Sequence, residues 1–67
     1  MGQRVAIRCD GNIKAVIDKP LLAWETMEFY FNFAGYKLVE AEDEQGRKFQ
    51  YTECYWTEFQ DWYNHGR

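Results

Sequence analysis

The chain is poor in the residues that build small sites. It has one proline, Pro20, one histidine, His65, and two cysteines, Cys9 and Cys54, in 67 residues. One possible bridge does not make a disulfide scaffold. Cys9, Cys54 and His65 lack the Cys-x-x-Cys spacing of a zinc site. His65, at the C-terminal end, reads as a solvated tail residue rather than a general base. No glycine-rich phosphate loop, nucleophile elbow or His-Glu metal helix is present. No catalytic residue, metal or cofactor is therefore expected, and the chain does not read as an enzyme. Long hydrophobic runs are also missing, so no membrane span is expected. The opening "MGQRVAIRCD" has no apolar core of a secretory signal, and Ala6 stands where a myristoylation signal wants Ser or Thr. A soluble, cytoplasmic protein with free thiols follows as the expectation.

What is abundant is aromatic and acidic. Hydrophobic residues make up 46% of the chain and aromatics 19%, which excludes a disordered acidic tail. A single domain over 1–67 is the only size-compatible organisation, and a domain this small is marginal without large buried rings or a partner. The net charge of −3 is unevenly spread, +2 up to Lys19 and −5 from Pro20 onward. The acidic part argues against a phosphate-backbone footprint.

The pattern predicts the order β-β-α-β-β-α. In "QRVAIRCDGNIKAVID", Val5, Ile7 and Cys9 alternate with Arg4, Ala6 and Arg8, and Ile13, Ala15 and Ile17 with Lys14 and Val16. A two-residue Asp10-Gly11 turn would set Ile7 opposite Lys14 and mix the faces. A three-residue loop, Asp10-Gly11-Asn12, pairs Cys9 with Ile13, Ile7 with Ala15 and Val5 with Ile17, and is preferred. Asp18 is the expected N-cap of a helix with Pro20 in its first turn, which Gly35 stops. On that helix Ala23, Trp24, Met27, Tyr30, Phe31 and Ala34 share one face. Leu22, Phe29 and Phe33 form a second stripe that one sheet cannot cover. In "YKLVEAEDEQGRKFQYTE" a Glu44-Gln45-Gly46 loop pairs Asp43 with Arg47, Glu42 with Lys48 and Lys37 with Glu53. Val39, Ala41, Phe49 and Tyr51 then face one way, and Glu40, Glu42, Lys48 and Gln50 the other. Thr57 and Gln60 match a capping box for a short final helix that runs to Asn64 and that Gly66 can stop. The expected fold is a single α+β domain. Its four-stranded, mainly antiparallel sheet is crossed by the long helix, with β-grasp-like closure that makes the first and last strands neighbours.

The segment "CYWTEFQDWY" carries the functional question. Phe59, Trp62 and Tyr63 share a helical face and can serve as core, covering Leu22, Phe29 and Phe33. Trp56, Trp62 and Tyr63 are also residue types that anchor protein interfaces. A base-stacking platform needs nearby Arg or Lys, and none lies between Phe49 and Asn64. Glu40, Glu42, Asp43 and Glu44 read either as a solvated edge or as the acidic rim of a partner-binding patch.

The size, acidity, aromatic content and single α+β domain resemble the small proteins that phages and mobile elements encode to disable host complexes. Anti-CRISPR proteins and inhibitors of host RNA polymerase are among them. The run "AVIDKPLLAWETMEFYFNFAGYKLVEAE" is similar in layout to phage-encoded polymerase inhibitors: a strand, an apolar helix, a glycine stop and an aromatic-led strand. The resemblance implies a host protein or protein complex as partner and inhibition or adaptation by occlusion. Trp56, Trp62 and Tyr63 are the candidate anchors and Glu40, Glu42, Asp43 and Glu44 the rim. Nucleic acid is not expected to be bound directly, and the chain is expected to be a monomer or homodimer. The rival expectations are a single-stranded nucleic-acid binder using Arg4, Arg8 and Lys14 with exposed aromatics, and a self-associating subunit.

Overall fold

A computed structural model describes residues 3–52 and 55–65. Four strands, β1 (Val5–Cys9), β2 (Asn12–Ile17), β3 (Val39–Asp43) and β4 (Lys48–Tyr51), form one antiparallel sheet. Helices α1 (Pro20–Asn32) and α2 (Trp56–His65) pack on one face of it. The fold is the expected α+β domain, but the sheet order is β2-β1-β3-β4. The first strand therefore lies beside the third, not the last, and the β-grasp-like closure does not form.

The first hairpin settles the competition between two loop lengths by using both registers. Asp10 and Gly11 both have positive φ, 51° and 88°, which gives the two-residue turn whose twist suits a hairpin. Near it Cys9 pairs with Asn12 and Arg8 with Ile13. A bulge follows, and beyond it Ile7 meets Ala15 and Val5 meets Ile17 as expected. The extra residue restores the apolar alternation at the cost of Ile13, which becomes exposed rather than packing on buried Cys9. The left-handed conformation of Asp10 is held from outside the turn. Its N–H donates to the Leu38 carbonyl at 2.8 Å and its Oδ1 accepts from the Leu38 N–H at 3.1 Å.

Helix α1 begins at Pro20, with Lys19 at the cap position and no side-chain cap, so Asp18 does not play that role. Gly35, at φ 80°, turns the chain out of the helix as its position predicts. The second hairpin follows the charge-derived register: Glu42 opposite Lys48, Ala41 opposite Phe49 and Val39 opposite Tyr51, with Gly46 left-handed at φ 84°. The Lys37–Glu53 pair lies outside the described residues, as do Cys54 and the Gly66 helix stop.

Inward-facing Val5, Ile7, Cys9, Val39, Ala41 and Tyr51 meet Ala23 and Met27 of α1 and Phe59 and Tyr63 of α2 in one core. Phe59 is fully buried at its centre, its ring 5.2–6.1 Å from those of Trp24, Phe49, Trp56, Trp62 and Tyr63. Helix α2 thus covers the Trp24 flank of α1 and the sheet beneath it. It leaves Leu22, Phe29 and Phe33 exposed, contrary to the expectation that it hides them.

The capping box is not formed either. The helix starts at Trp56, two residues before a Thr57 cap would start it, and the Tyr55 carbonyl accepts from the N–H groups of Glu58 and Phe59 at 3.0 and 3.3 Å. Thr57 lies inside the first turn and is exposed. Thr57→Ala is therefore expected to leave stability unchanged or raise it by about 0.5 kcal/mol through helix propensity. Urea denaturation checks this, and a loss near 1 kcal/mol would restore the capping role.

Candidate functional site

The residues proposed from sequence fall in three different environments. On α2, Phe59 and Tyr63 point into the core, and the indoles of Trp56 and Trp62 flank them at its margin, each half-buried. Tyr63 is not a free anchor. Its hydroxyl lies 2.7 Å from the Gln3 carbonyl and 3.0 Å from that of Asp18, and its own carbonyl accepts from Gln3 Nε2 at 2.6 Å. It joins the chain's start to the turn before α1. Trp62 has Phe49 on one side and the Arg47 guanidinium 4.8 Å from its ring centroid. Tyr55, which precedes α2, is 72% exposed. Glu58 and Asp61 are exposed on the same helix.

The acidic run is taken up by the chain's own arginines. Glu42 Oε1 accepts from Arg8 Nε at 2.8 Å across the β1–β3 pair, on the sheet face away from the helices. Glu44, in the exposed turn, lies 3.8 Å from Arg4, a loose surface contact. Asp43 points the other way. The alternation that turns Val39 and Ala41 inward also turns Asp43 inward, where it is buried. Its Oδ1 accepts from the N–H groups of Gln45 and Arg47 at 3.0 and 2.8 Å, and its Oδ2 from Arg47 Nε at 2.7 Å. Arg47 then donates from Nη2 to the Trp62 carbonyl at 2.8 Å. Asp43 is therefore a structural carboxylate rather than part of a partner-facing rim. Glu40 and Glu42 remain on the open sheet face with Arg8, Lys48 and Gln50, a mixture of signs rather than an acidic patch.

Lys14, the third cation of the nucleic-acid alternative, sits 5.5 Å from the ring centroid of Tyr36. Each of the three described arginines is within ion-pair distance of a carboxylate in the segment Glu42, Asp43 and Glu44. No basic stripe is assembled from Arg4, Arg8 and Lys14. The participation of Arg47 was not anticipated beyond its pairing with Asp43. The signal was available, since an inward Asp43 requires a buried counter-charge.

Burial pushes the Cys9 thiol up, only partly offset by the charge of Lys14, and Asp10 pushes it the same way as burial. Among the described residues no three His, Cys, Asp or Glu side chains gather as metal ligands. A shallow depression of about 210 Å³ is lined by Val5, Ala6 and Val16 and by the charged groups of Arg4, Glu42, Asp43 and Glu44, of which Arg4 and Glu44 face each other. Among the described residues, no helix is long and apolar enough to cross a membrane. Comparisons with protein families, with curated proteins and with solved structures find no match for the chain.

The Asp43 carboxyl gives a pH signature. Burial alone would raise its pKa. The hydrogen bonds from the Arg47 backbone and guanidinium and from the Gln45 N–H, with the guanidinium charge, outweigh burial and hold it below the usual carboxylate value. A depressed folded-state pKa gives stabilisation that is complete above the unfolded value, about pH 4, and lost as pH falls through the folded one. Asp43→Asn is expected to destabilise the domain by about 2 kcal/mol at pH 7. The gap between parent and variant should narrow as pH drops below about 4. Denaturant titrations between pH 7 and pH 2.5 check this, and a gap that is constant with pH contradicts it.

Proposed function

We propose that the protein is a small protein-binding inhibitor or adaptor, encoded by a phage or mobile element, that occludes a host protein or protein complex. The observation that carries this reading is the fate of the cations. Arg4, Arg8 and Arg47 face the chain's own carboxylates. The half-exposed indoles of Trp56 and Trp62 share their helix with Glu58 and Asp61, and the open ring of Tyr55 immediately precedes it. Aromatic rings at the margin of a rigid core are low-entropy anchors of the kind that dominate protein interfaces. Carboxylates beside them favour a partner with a basic rim and speed its approach. A nucleic-acid backbone would be repelled by the same face. Of the acidic rim, Glu40 and Glu44 remain available at the opposite hairpin, while Asp43 and Tyr63 act only by holding the scaffold.

The test uses the full chain, immobilised, against a bacterial lysate. The parent is compared with a surface variant carrying Tyr55→Ala, Glu58→Lys and Asp61→Lys, all at exposed positions. The parent should retain a stoichiometric protein partner, and the folded variant should retain about tenfold less, as expected for loss of one anchor and two rim charges. A fluorescent single-stranded oligonucleotide should show no change in anisotropy with either. Oligonucleotide binding that is lost in Arg4→Ala/Arg8→Ala would instead favour the nucleic-acid alternative. Equal capture by parent and variant would remove α2 as the docking face.

A further inference from the structure

Independently of the partner proposed for α2, the geometry points to a second copy of this chain as the occupant of the exposed flank of α1. Leu22, Phe29 and Phe33 are 50%, 55% and 79% exposed. Thr26 completes the set. Its hydroxyl donates to the Leu22 carbonyl, one turn back, at 2.7 Å, so it needs no partner from outside the helix. Leu22, Thr26, Phe29 and Phe33 are spaced four, three and four residues apart, the repeat of a coiled-coil seam, and fall within about 60° of arc at 100° per residue. The Phe29 and Phe33 rings are stacked with centroids 5.8 Å apart and form one continuous apolar surface.

Helix α2 cannot reach this seam. It packs against Trp24, whose ring lies 6.0 Å from that of Trp56 and 5.7 Å from that of Phe59, on the opposite flank of α1. The seam is self-complementary about a two-fold axis midway between Leu22 and Phe33. Antiparallel pairing of two α1 helices sets Leu22 against Phe33 of the other copy and small Thr26 against large Phe29, so bulk meets space at each level. The polar border agrees. The carboxylate of Glu25 comes beside the amide of Asn32 from the other copy, a donor–acceptor match. Glu28 lies on the solvent side, away from the seam. The four side chains expose on the order of 400 Å² of mainly apolar surface per copy. With a polar rim the interface reaches the lower end of the range for stable complexes, about 1,200 Å² in total. A dimer in equilibrium with monomer at micromolar concentration is the result, with both α2 faces directed outward.

Sedimentation equilibrium of the full chain over a thousandfold concentration range tests this. The mass should rise from the monomer value of 8.1 kDa towards twice that value. Phe29→Glu, at an exposed site, should stay at 8.1 kDa throughout with an unchanged circular dichroism spectrum. Asn32→Lys should lower the dissociation constant several-fold by facing Glu25 of the other copy, and Asn32→Glu should raise it. A parent that remains monomeric at the highest concentration overturns the proposal. So does a dimer that persists in Phe29→Glu, which would use another surface, or one indifferent to both Asn32 substitutions, which would not pair α1 antiparallel. Lysate capture through α2 can succeed or fail without altering any of these masses.

Discussion

The buried carboxylate of Asp43 is the constraint on which the arrangement of the rest depends. A charge on the core side of a strand must be paired and hydrogen-bonded, or it unfolds its surroundings. Here Asp43 accepts from two backbone N–H groups of its own turn and from the Arg47 guanidinium, which fixes the Gly46 loop. The same guanidinium reaches the Trp62 carbonyl and lies over the Trp62 ring. The second hairpin is thereby tied to α2, and α2 brings Phe59 to the centre of the core. Tyr63 makes the second tie, to Gln3 and Asp18. In this 67-residue chain α2 is held by the hydrogen bonds of Arg47 to Trp62 and of Tyr63 with Gln3 and Asp18, and by the buried rings of Phe59 and Tyr63.

This economy explains why charge on the surface is a poor guide to partners in this chain. Glu42, Asp43 and Glu44 look like an interaction patch in sequence, yet Arg8, Arg47 and Arg4 face them one by one. Two surfaces then carry the proposed interactions. One is the exposed side of α2, where Glu58 and Asp61 lie beside the margins of the Trp56 and Trp62 rings, proposed for a foreign partner with basic groups. The other is the exposed apolar flank of α1, proposed for a second copy.

Local signals in the sequence were faithful in the second hairpin and on the buried face of α1. The second hairpin could be read residue by residue because Glu42, Asp43, Arg47 and Lys48 encode its register in charge and Gly46 marks its turn. The buried face of α1 follows from the 3.6-residue period of Ala23, Trp24, Met27 and Phe31. The first hairpin was legible only in part. Asp10-Gly11 asked for one register and the apolar alternation for another, and a bulge that satisfies both has no signature of its own. Strand order depends on β1 choosing β3, a contact between distant segments that no local pattern records. Thr57 was misread because a backbone carbonyl, that of Tyr55, starts the helix two residues earlier than a Thr57 cap would. Asp43 could have been placed correctly from the period of two that places Val39 and Ala41. Its charge made it look like its outward neighbours Glu42 and Glu44.

Amide hydrogen exchange, followed residue by residue in the parent and in Arg47→Met, tests the dependence of α2 on the Asp43–Arg47 link most directly. Methionine keeps much of the apolar stem over Trp62 and removes the charge and the donors. The account predicts that protection of the α2 amides from Phe59 to Tyr63 falls well before that of Ile7 and Ala41 at the centre of the sheet. This is the pattern of local opening rather than global unfolding. Protection that is unchanged in α2, or that falls equally in helix and sheet, would contradict it.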